Sequence, residues 1–113
     1  MAYYTYLLRC SDGSLYAGIT TDPKRRMKEH ASKDPKGAKY TKTHPPKTLC
    51  ALWECEDRAT ASRLEYRLKQ LPKNKKERLA ADGALSDVFD SDFASAYRIA
   101  DRTVSEGCFS EQE

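Results

Sequence analysis

The sequence has no apolar run that approaches the ~20 residues needed by a membrane-spanning helix. It also lacks both Gly-x-x-x-x-Gly-Lys-Ser/Thr and Gly-x-Gly-x-x-Gly, the glycine-rich loops that hold nucleotide phosphates. Its first residues, Met-Ala-Tyr-Tyr-Thr, do not form a basic region followed by an apolar stretch, as a secretory signal would. These absences predict a cytoplasmic protein without a membrane span and without a nucleotide cofactor.

Metal-binding and disulfide patterns are also scarce. The four cysteines include no Cys-x-x-Cys pair, and the two histidines, His30 and His44, do not complete a zinc spacing. Cys10 and Cys50 lie in strand-like apolar stretches, where a thiol behaves as a small hydrophobic group. We therefore expect thiols rather than disulfides, and no zinc site.

Charge is divided unevenly along the chain of 113 residues, which is long enough for one compact domain. The first 80 residues carry a net charge of +9, and the remainder carries −6. A basic body suits a polyanionic partner, because each neutralised phosphate releases condensed counterions; a solvated surface is the bland alternative. The predicted division is a domain over residues 1–82 and an acidic extension over residues 83–113, partly helical with a disordered end.

The N-terminal pattern predicts a hairpin. Residues 2–10 and 15–20 are rich in strand-forming residues, and Ser11-Asp12-Gly13-Ser14 is a turn cluster. A two-residue loop would place Tyr6 and Tyr16 on opposite faces of the sheet. A three-residue loop with Gly13 in the left-handed conformation pairs Tyr6 with Gly18 and brings both phenols to one face. We predict the second register on functional grounds, because only this register lets the two phenols share a site.

The next segment predicts a helix over residues 23–32, with Asp22 as its cap and Pro23 at its first position. Arg26 and His30 are four residues apart and therefore share a helix face. The spacing predicts that they address the same anion.

Further along, the sequence predicts a basic loop, a third strand, two helices and a segment with helical spacing. The basic loop covers residues 33–47, and the third strand covers residues 48–55. The first helix is capped by Asp57 and ended by Pro72, and the second covers residues 73–81 and is stopped by Gly83. The segment with helical spacing covers residues 85–102. The loop interleaves lysines with Tyr40, which fits a surface that tracks a nucleic-acid backbone, although a solvated connection explains it equally well. Glu65 is either an i to i+4 partner of Lys69 or a lone carboxylate ligand for a metal.

Several of these residues together resemble the GIY-YIG endonuclease family, and especially its small stand-alone bacterial members. The similarity covers residues 3–79 and rests on an ordered set: Tyr4-Thr5-Tyr6, Tyr16-Ala17-Gly18, Arg26, His30, Gly37-Ala38-Lys39-Tyr40-Thr41, and Glu65 in Glu65-Tyr66-Arg67-Leu68-Lys69-Gln70-Leu71. Tyr4 stands where the family motif has glycine, and Thr5 and Ala17 stand where it has isoleucine. The motif tyrosines, Tyr6 and Tyr16, and the motif glycine, Gly18, are retained.

The resemblance implies an α/β fold with a three-stranded antiparallel sheet flanked by helices, and metal-dependent hydrolysis of DNA in repair or recombination, with RNA left open. It gives Tyr16 the role of general base or water-orienting phenol, with Tyr6 in support. Arg26 would stabilise the transition-state phosphate, and His30 would assist proton transfer or contact phosphate. Glu65 would hold one weakly bound Mg²⁺ or Mn²⁺. The expected nucleic-acid contacts are Arg25, Lys39, Tyr40 and Lys42.

Two other functions fit the same residues. One is a module that binds nucleic acid on this scaffold without cleaving it. The other is a protein-interaction module whose acidic tail binds a partner or covers the basic face.

Overall fold

The computed structural model describes residues 2–32 and 46–100 of the chain. The elements, in chain order, are strands β1 (Tyr3–Cys10) and β2 (Leu15–Thr20), helix α1 (Pro23–Ser32), strand β3 (Pro46–Cys55), helices α2 (Arg58–Gln70) and α3 (Lys73–Asp82), a 3-10 turn (Leu85–Asp87), helix α4 (Ser91–Ala94) and strand β4 (Arg98–Ile99).

The strands form one antiparallel sheet in the order β2-β1-β3-β4. The predicted α/β fold is confirmed, and the two residues of β4 extend the expected three strands to four. Strand β2 lies at one edge of the sheet, and this position matters for the site described below.

The hairpin has the predicted register. Tyr6 pairs with Gly18 and Leu8 pairs with Tyr16 across β1 and β2. The amide of Cys10 donates to the carbonyl of Ser14 at 2.8 Å, which closes a three-residue loop. Gly13 has φ +88°, a left-handed conformation that glycine adopts without steric cost. Tyr6 and Tyr16 therefore lie on the same face.

Helices cover both faces of the sheet. Leu7 and Ala17 point to the face where α2 contributes Ala61, Leu64 and Leu68. Tyr6 and Leu8 point to the other face, where α1 contributes the fully buried Met27. The alternation of β1 therefore separates two cores, one under each helix.

The helix boundaries follow local chemistry. The carboxylate of Asp22 accepts from the amide of Arg25 at 3.2 Å, and that of Asp57 accepts from Thr60 at 2.8 Å. Gly83 ends α3 with φ +71°. All three predicted roles are confirmed, because capping depends on groups only a few residues apart.

Residues 85–100 do not form the helix that their apolar spacing suggested. Asp90 caps only the four-residue α4, and Arg98 pairs with Glu54 across β4 and β3. The hydroxyl of Tyr97 donates to the carbonyl of Thr60 at 2.7 Å. Tertiary contacts with α2 and β3 thus override the helical spacing. Leu85, Phe89 and Tyr97 are buried in the core under α2.

Within the described chain, Cys10, Cys50 and Cys55 are buried and form no disulfide, as predicted for these three; Cys108 lies outside the described residues. None of the described helices is long and apolar enough to cross a membrane.

Candidate active site

Three ring-bearing side chains converge on the α1 face of the hairpin. The ring centroids of Tyr6 and Tyr16 are 6.4 Å apart, and His30 lies 5.6 Å from Tyr6 and 5.9 Å from Tyr16. The hairpin register brings the two phenols together, and the third turn of α1 places the imidazole against both of them. We call Tyr6, Tyr16 and His30 the ring cluster.

Arg26 joins the ring cluster to the rest of α1. Its Nε donates to the Tyr6 hydroxyl at 3.4 Å, and its Nη1 donates to Glu29 at 2.9 Å. Burial lowers the pKa of Arg26, and hydrogen bonds to Glu29 and Tyr6 raise it by more, so the guanidinium stays charged. A cation therefore lies directly beside a buried phenol.

The two phenols differ in access. Tyr6 is 1% exposed, and burial raises its pKa to about 12 although Arg26 acts in the opposite direction. Tyr16 is half-buried; burial raises its pKa as well, the charge of Arg26 lowers it, and that of Glu65 raises it. Of the two, Tyr16 is the phenol that a substrate can reach.

His30 is a buried neutral imidazole. It is 1% exposed, and its Nε2 lies 2.8 Å from the Tyr6 hydroxyl. Burial lowers its pKa to about 4, assisted by the charge of Arg26 and opposed by that of Glu29. Because Arg26 donates to the phenol oxygen, the phenol proton is directed to Nε2, which favours the tautomer with the other proton on Nδ1. The expectation that His30 and Arg26 address one anion is wrong in this structure, because the imidazole is covered.

This burial predicts a pH effect on stability. The folded-state pKa of His30 is about 4 and the unfolded value is 6.5, so protons bind preferentially to the unfolded chain between these values. Stability contributed by neutral His30 is complete above about pH 6.5 and is lost as the pH falls toward 4. We expect this residue to lower the free energy of unfolding by about 2 kcal/mol between pH 7 and pH 5.

Urea unfolding of the wild type and of His30→Gln at both pH values measures this difference, since the amide cannot titrate. NMR titration of the His30 ring in the wild type provides an independent measurement. A midpoint near 6.5 for that ring would contradict the prediction.

Glu65 approaches the same phenols from the other helix. It lies on α2, its side chain is 25% exposed, and its Oε2 is 3.5 Å from Nζ of Lys69. Its charge acts on both Tyr6 and Tyr16, after burial and Arg26. Charged groups on both helices, Arg26 on α1 and Glu65 on α2, therefore act on the same pair of phenols.

The donor set around Glu65 suits only a weakly held metal. Among residues 2–32 and 46–100, no three His, Cys, Asp or Glu side chains group together as ligands. One reachable carboxylate fits Mg²⁺, which commonly takes one or two protein carboxylates and completes its shell with water and substrate phosphate. Glu65 is a carboxylate that could hold such an ion.

Of the four residues predicted to contact nucleic acid, one lies among the described residues. Arg25 is exposed on α1 and pairs with Asp22 and Glu29 at 3.8 and 3.4 Å. Lys39, Tyr40 and Lys42 lie outside the described residues.

Sequence reasoning missed Arg58, which lines one cleft with Arg25 and Arg26. Its only signal was its position directly after the Asp57 cap, which does not indicate what the helix end faces.

Comparison with known proteins identifies a family model, sequence relatives and a solved structure that resemble this chain. A model described as the GIY-YIG catalytic domain matches residues 2–78. The chain is 48% identical over 81 residues to the UPF0213 protein BH0048 of Halalkalibacterium halodurans, covering 72% of this chain and 84% of the relative. It is 49% identical over 82 residues to the UPF0213 protein YhbQ of Escherichia coli, covering 73% and 80%. The solution NMR structure of UPF0213 protein BH0048 from Bacillus halodurans has 42% identity, a TM-score of 0.46, and coverage of 84% of this chain and 94% of that one.

Proposed function

The chain belongs to the GIY-YIG catalytic domain family, and from this membership and the ring cluster we propose that it is a metal-dependent endonuclease hydrolysing DNA phosphodiester bonds. The observation that supports the proposal most is the joint placement of Tyr16, Tyr6 and Arg26. Two phenols share one face of the hairpin, and a guanidinium contacts the buried one. A role in repair or recombination is compatible with this activity.

Phosphodiester hydrolysis needs an oriented water and a cation for the charge that develops on the phosphate. Tyr16 is the reachable phenol, and its hydroxyl positions the attacking water. Its raised pKa favours orientation of that water over full proton abstraction. Arg26 is held by Glu29 and Tyr6, so its guanidinium faces the phosphate without first having to become ordered.

Tyr6 and His30 act through their neighbours. Both are 1% exposed, so neither meets the substrate directly. The contact between the Tyr6 hydroxyl and His30 Nε2 fixes the phenol, and the phenol in turn holds Nε of Arg26. We therefore assign Tyr6 and His30 as positioning residues.

Glu65 would hold one Mg²⁺ or Mn²⁺. When bound, such an ion supplies Lewis-acid polarisation of a phosphoryl oxygen and charge for the leaving oxygen. Arg25, Lys39, Tyr40 and Lys42 are proposed to contact the nucleic-acid backbone and bases.

The test is cleavage of plasmid, branched and single-stranded DNA, and of RNA, with Mg²⁺ or Mn²⁺. We expect DNA cleavage that chelation by EDTA abolishes. In Glu65→Gln, the Mg²⁺ concentration that gives half-maximal activity should rise at least about tenfold, because the proposed carboxylate ligand is lost.

Glu56→Gln is the matched control, since it removes an exposed carboxylate in the turn that precedes the same helix. Equal Mg²⁺ dependence of the two variants would remove Glu65 from the metal site. Salt-sensitive DNA binding with no turnover on any substrate would favour the binding module instead.

A further inference from the structure

A cleft borders the ring cluster at the end of the edge strand. It has a volume of about 280 Å³. Its lining residues come from β1, from β2 and the turn after it, and from both flanking helices, and they include Tyr3, Thr21, Arg25, Arg26, Glu29 and Arg58. We call it the arginine cleft.

The charge of the cleft is strongly positive for so small a space. Arg25, Arg26 and Arg58 line it with a single carboxylate, Glu29, for a formal net charge of +2, and the carboxylate of Asp22, outside the lining, lies 3.8 Å from Arg25. Glu29 is 12% exposed and bonds two of the guanidiniums, with Oε1 2.9 Å from Arg26 Nη1 and Oε2 3.4 Å from Arg25 Nη1. The carboxylate thus holds two cations in place without neutralising all three.

The size and lining of the cleft limit its ligand. Its volume of about 280 Å³ lies at the lower end of the range of small-molecule pockets and accommodates a charged group the size of a phosphate. Guanidiniums arranged around a concave surface match the oxygens of a phosphate, and Tyr3 and Thr21, which also line the cleft, are residue types that can donate from a hydroxyl.

Arg26 connects the cleft with the ring cluster. The same guanidinium lines the cleft and bonds the Tyr6 hydroxyl. A phosphate in the cleft and a phosphate beside Tyr16 would therefore belong to neighbouring positions on one strand. The cleft spans from α1 to the first residue of α2.

We propose that the arginine cleft is a second phosphate subsite, in which Arg58 and Arg25 bind the backbone phosphate next to the one that is cleaved. The proposal rests on the endonuclease function and deepens it by assigning Arg58 to substrate binding. The ligand is a phosphodiester within a nucleic-acid strand, rather than a mononucleotide or inorganic phosphate.

Binding of a short fluorescent DNA oligonucleotide to the full chain in EDTA tests the subsite without cleavage. We expect Arg58→Gln to weaken binding by about tenfold at low salt, as for a lost hydrogen bond to a charged group. The slope of log affinity against log salt should become shallower by about 1, because one phosphate contact is lost.

Arg63→Gln is the matched control, because Arg63 is exposed on the same helix and is not among the described residues that line the cleft. Both positions are exposed, so both variants should retain the wild-type melting temperature. Equal affinity and equal salt slope in Arg58→Gln and Arg63→Gln would overturn the proposal.

Neutralising one phosphate at a time with methylphosphonate identifies the phosphate that is bound. At one position the substitution should weaken wild-type binding and leave Arg58→Gln binding unchanged, since the two changes remove the same contact. Additive losses at every position would overturn the proposal. A mononucleotide or inorganic phosphate that binds as tightly as the oligonucleotide, with the same Arg58 dependence, would also overturn it.

The outcomes separate this subsite from the enzymatic function. Cleavage without an Arg58 effect on binding would leave the endonuclease and remove the subsite. Arg58-dependent, salt-sensitive binding without cleavage of any nucleic acid would retain a phosphate site and remove the endonuclease.

Discussion

Replacing Arg26 with alanine should lower kcat for DNA cleavage by about 10²–10³-fold, the loss typical of removing one preorganised group that stabilises transition-state charge. Arg26 is the cation in contact with the ring cluster, and hydrogen bonds hold it to Glu29 at 2.9 Å and to the Tyr6 hydroxyl at 3.4 Å. The alanine variant loses both the charge and the support that this side chain gives to Tyr6.

Arg26→Lys separates charge from geometry. Lysine keeps the positive charge and loses the planar fork that contacts Glu29 and Tyr6 at once, so we expect only partial recovery of kcat. Lys28→Ala is the control, because it removes an exposed cation from the same helix. Single-turnover rates at saturating DNA measure all three variants. Arg26→Ala as active as Lys28→Ala would exclude Arg26 from the chemistry.

Gly18→Ala should both destabilise the protein and disable the site. A Cβ at this position would lie 2.5 Å from Cζ of Tyr6 and closer still to its hydroxyl oxygen. Tyr6 is 1% exposed and cannot move away without disturbing the core under α1. We expect a loss of about 2 kcal/mol in the free energy of unfolding, which corresponds to roughly 8 °C in Tm. The displaced phenol should also release Arg26, so kcat should fall.

Gly13→Ala is the control for Gly18→Ala. Gly13 has φ +88°, so alanine there costs about 1 kcal/mol in backbone strain, but nothing lies within 4 Å of the added carbon. This variant should melt earlier and keep the kcat of the wild type at a temperature where both are folded. Thermal melts with cleavage rates separate the two effects. A Gly18→Ala protein with wild-type Tm and kcat would contradict the packing argument.

The close contact at Gly18 also explains why the Tyr16-Ala17-Gly18 motif ends in glycine. The pairing of Tyr6 with Gly18 lays the phenol ring over the position where a side chain would stand. The motif glycine is thus required by a residue twelve positions earlier in the chain, on the neighbouring strand. The spacing of the motif is visible in the sequence, and the sheet register explains why glycine is needed there.

His30 shows the limit of helical spacing as a guide to chemistry. The spacing of four residues correctly predicts that His30 lies on the same helix face as Arg26, because helix periodicity is a local property. Spacing does not report depth, and the imidazole lies under the two phenols at 1% exposure. The same face thus carries one half-buried cation and one fully covered base, with different roles.

In the C-terminal segment, tertiary contacts override the local helical pattern. The apolar spacing of residues 85–100 was real, but the segment lies against α2 and β3 as a 3-10 turn, a short helix and a strand. Cross-strand pairing of Arg98 with Glu54 and the Tyr97 bond to Thr60 are contacts between distant parts of the chain. Local pattern could indicate which residues are buried, but not which conformation buries them.

By itself, the sequence determined the hairpin and the capped starts of α1 and α2, and it limited the hairpin loop to two lengths, of which only the one with Gly13 at a bulge puts Tyr6 and Tyr16 on one face. These features depend on turn chemistry, strand alternation and caps, all of which act over a few residues. Tertiary structure decided the burial of His30, the action of Glu65 on both phenols, and the joining of Arg58 with Arg25 and Arg26. Those depend on how two helices pack on opposite faces beside one edge strand, which no local pattern specifies.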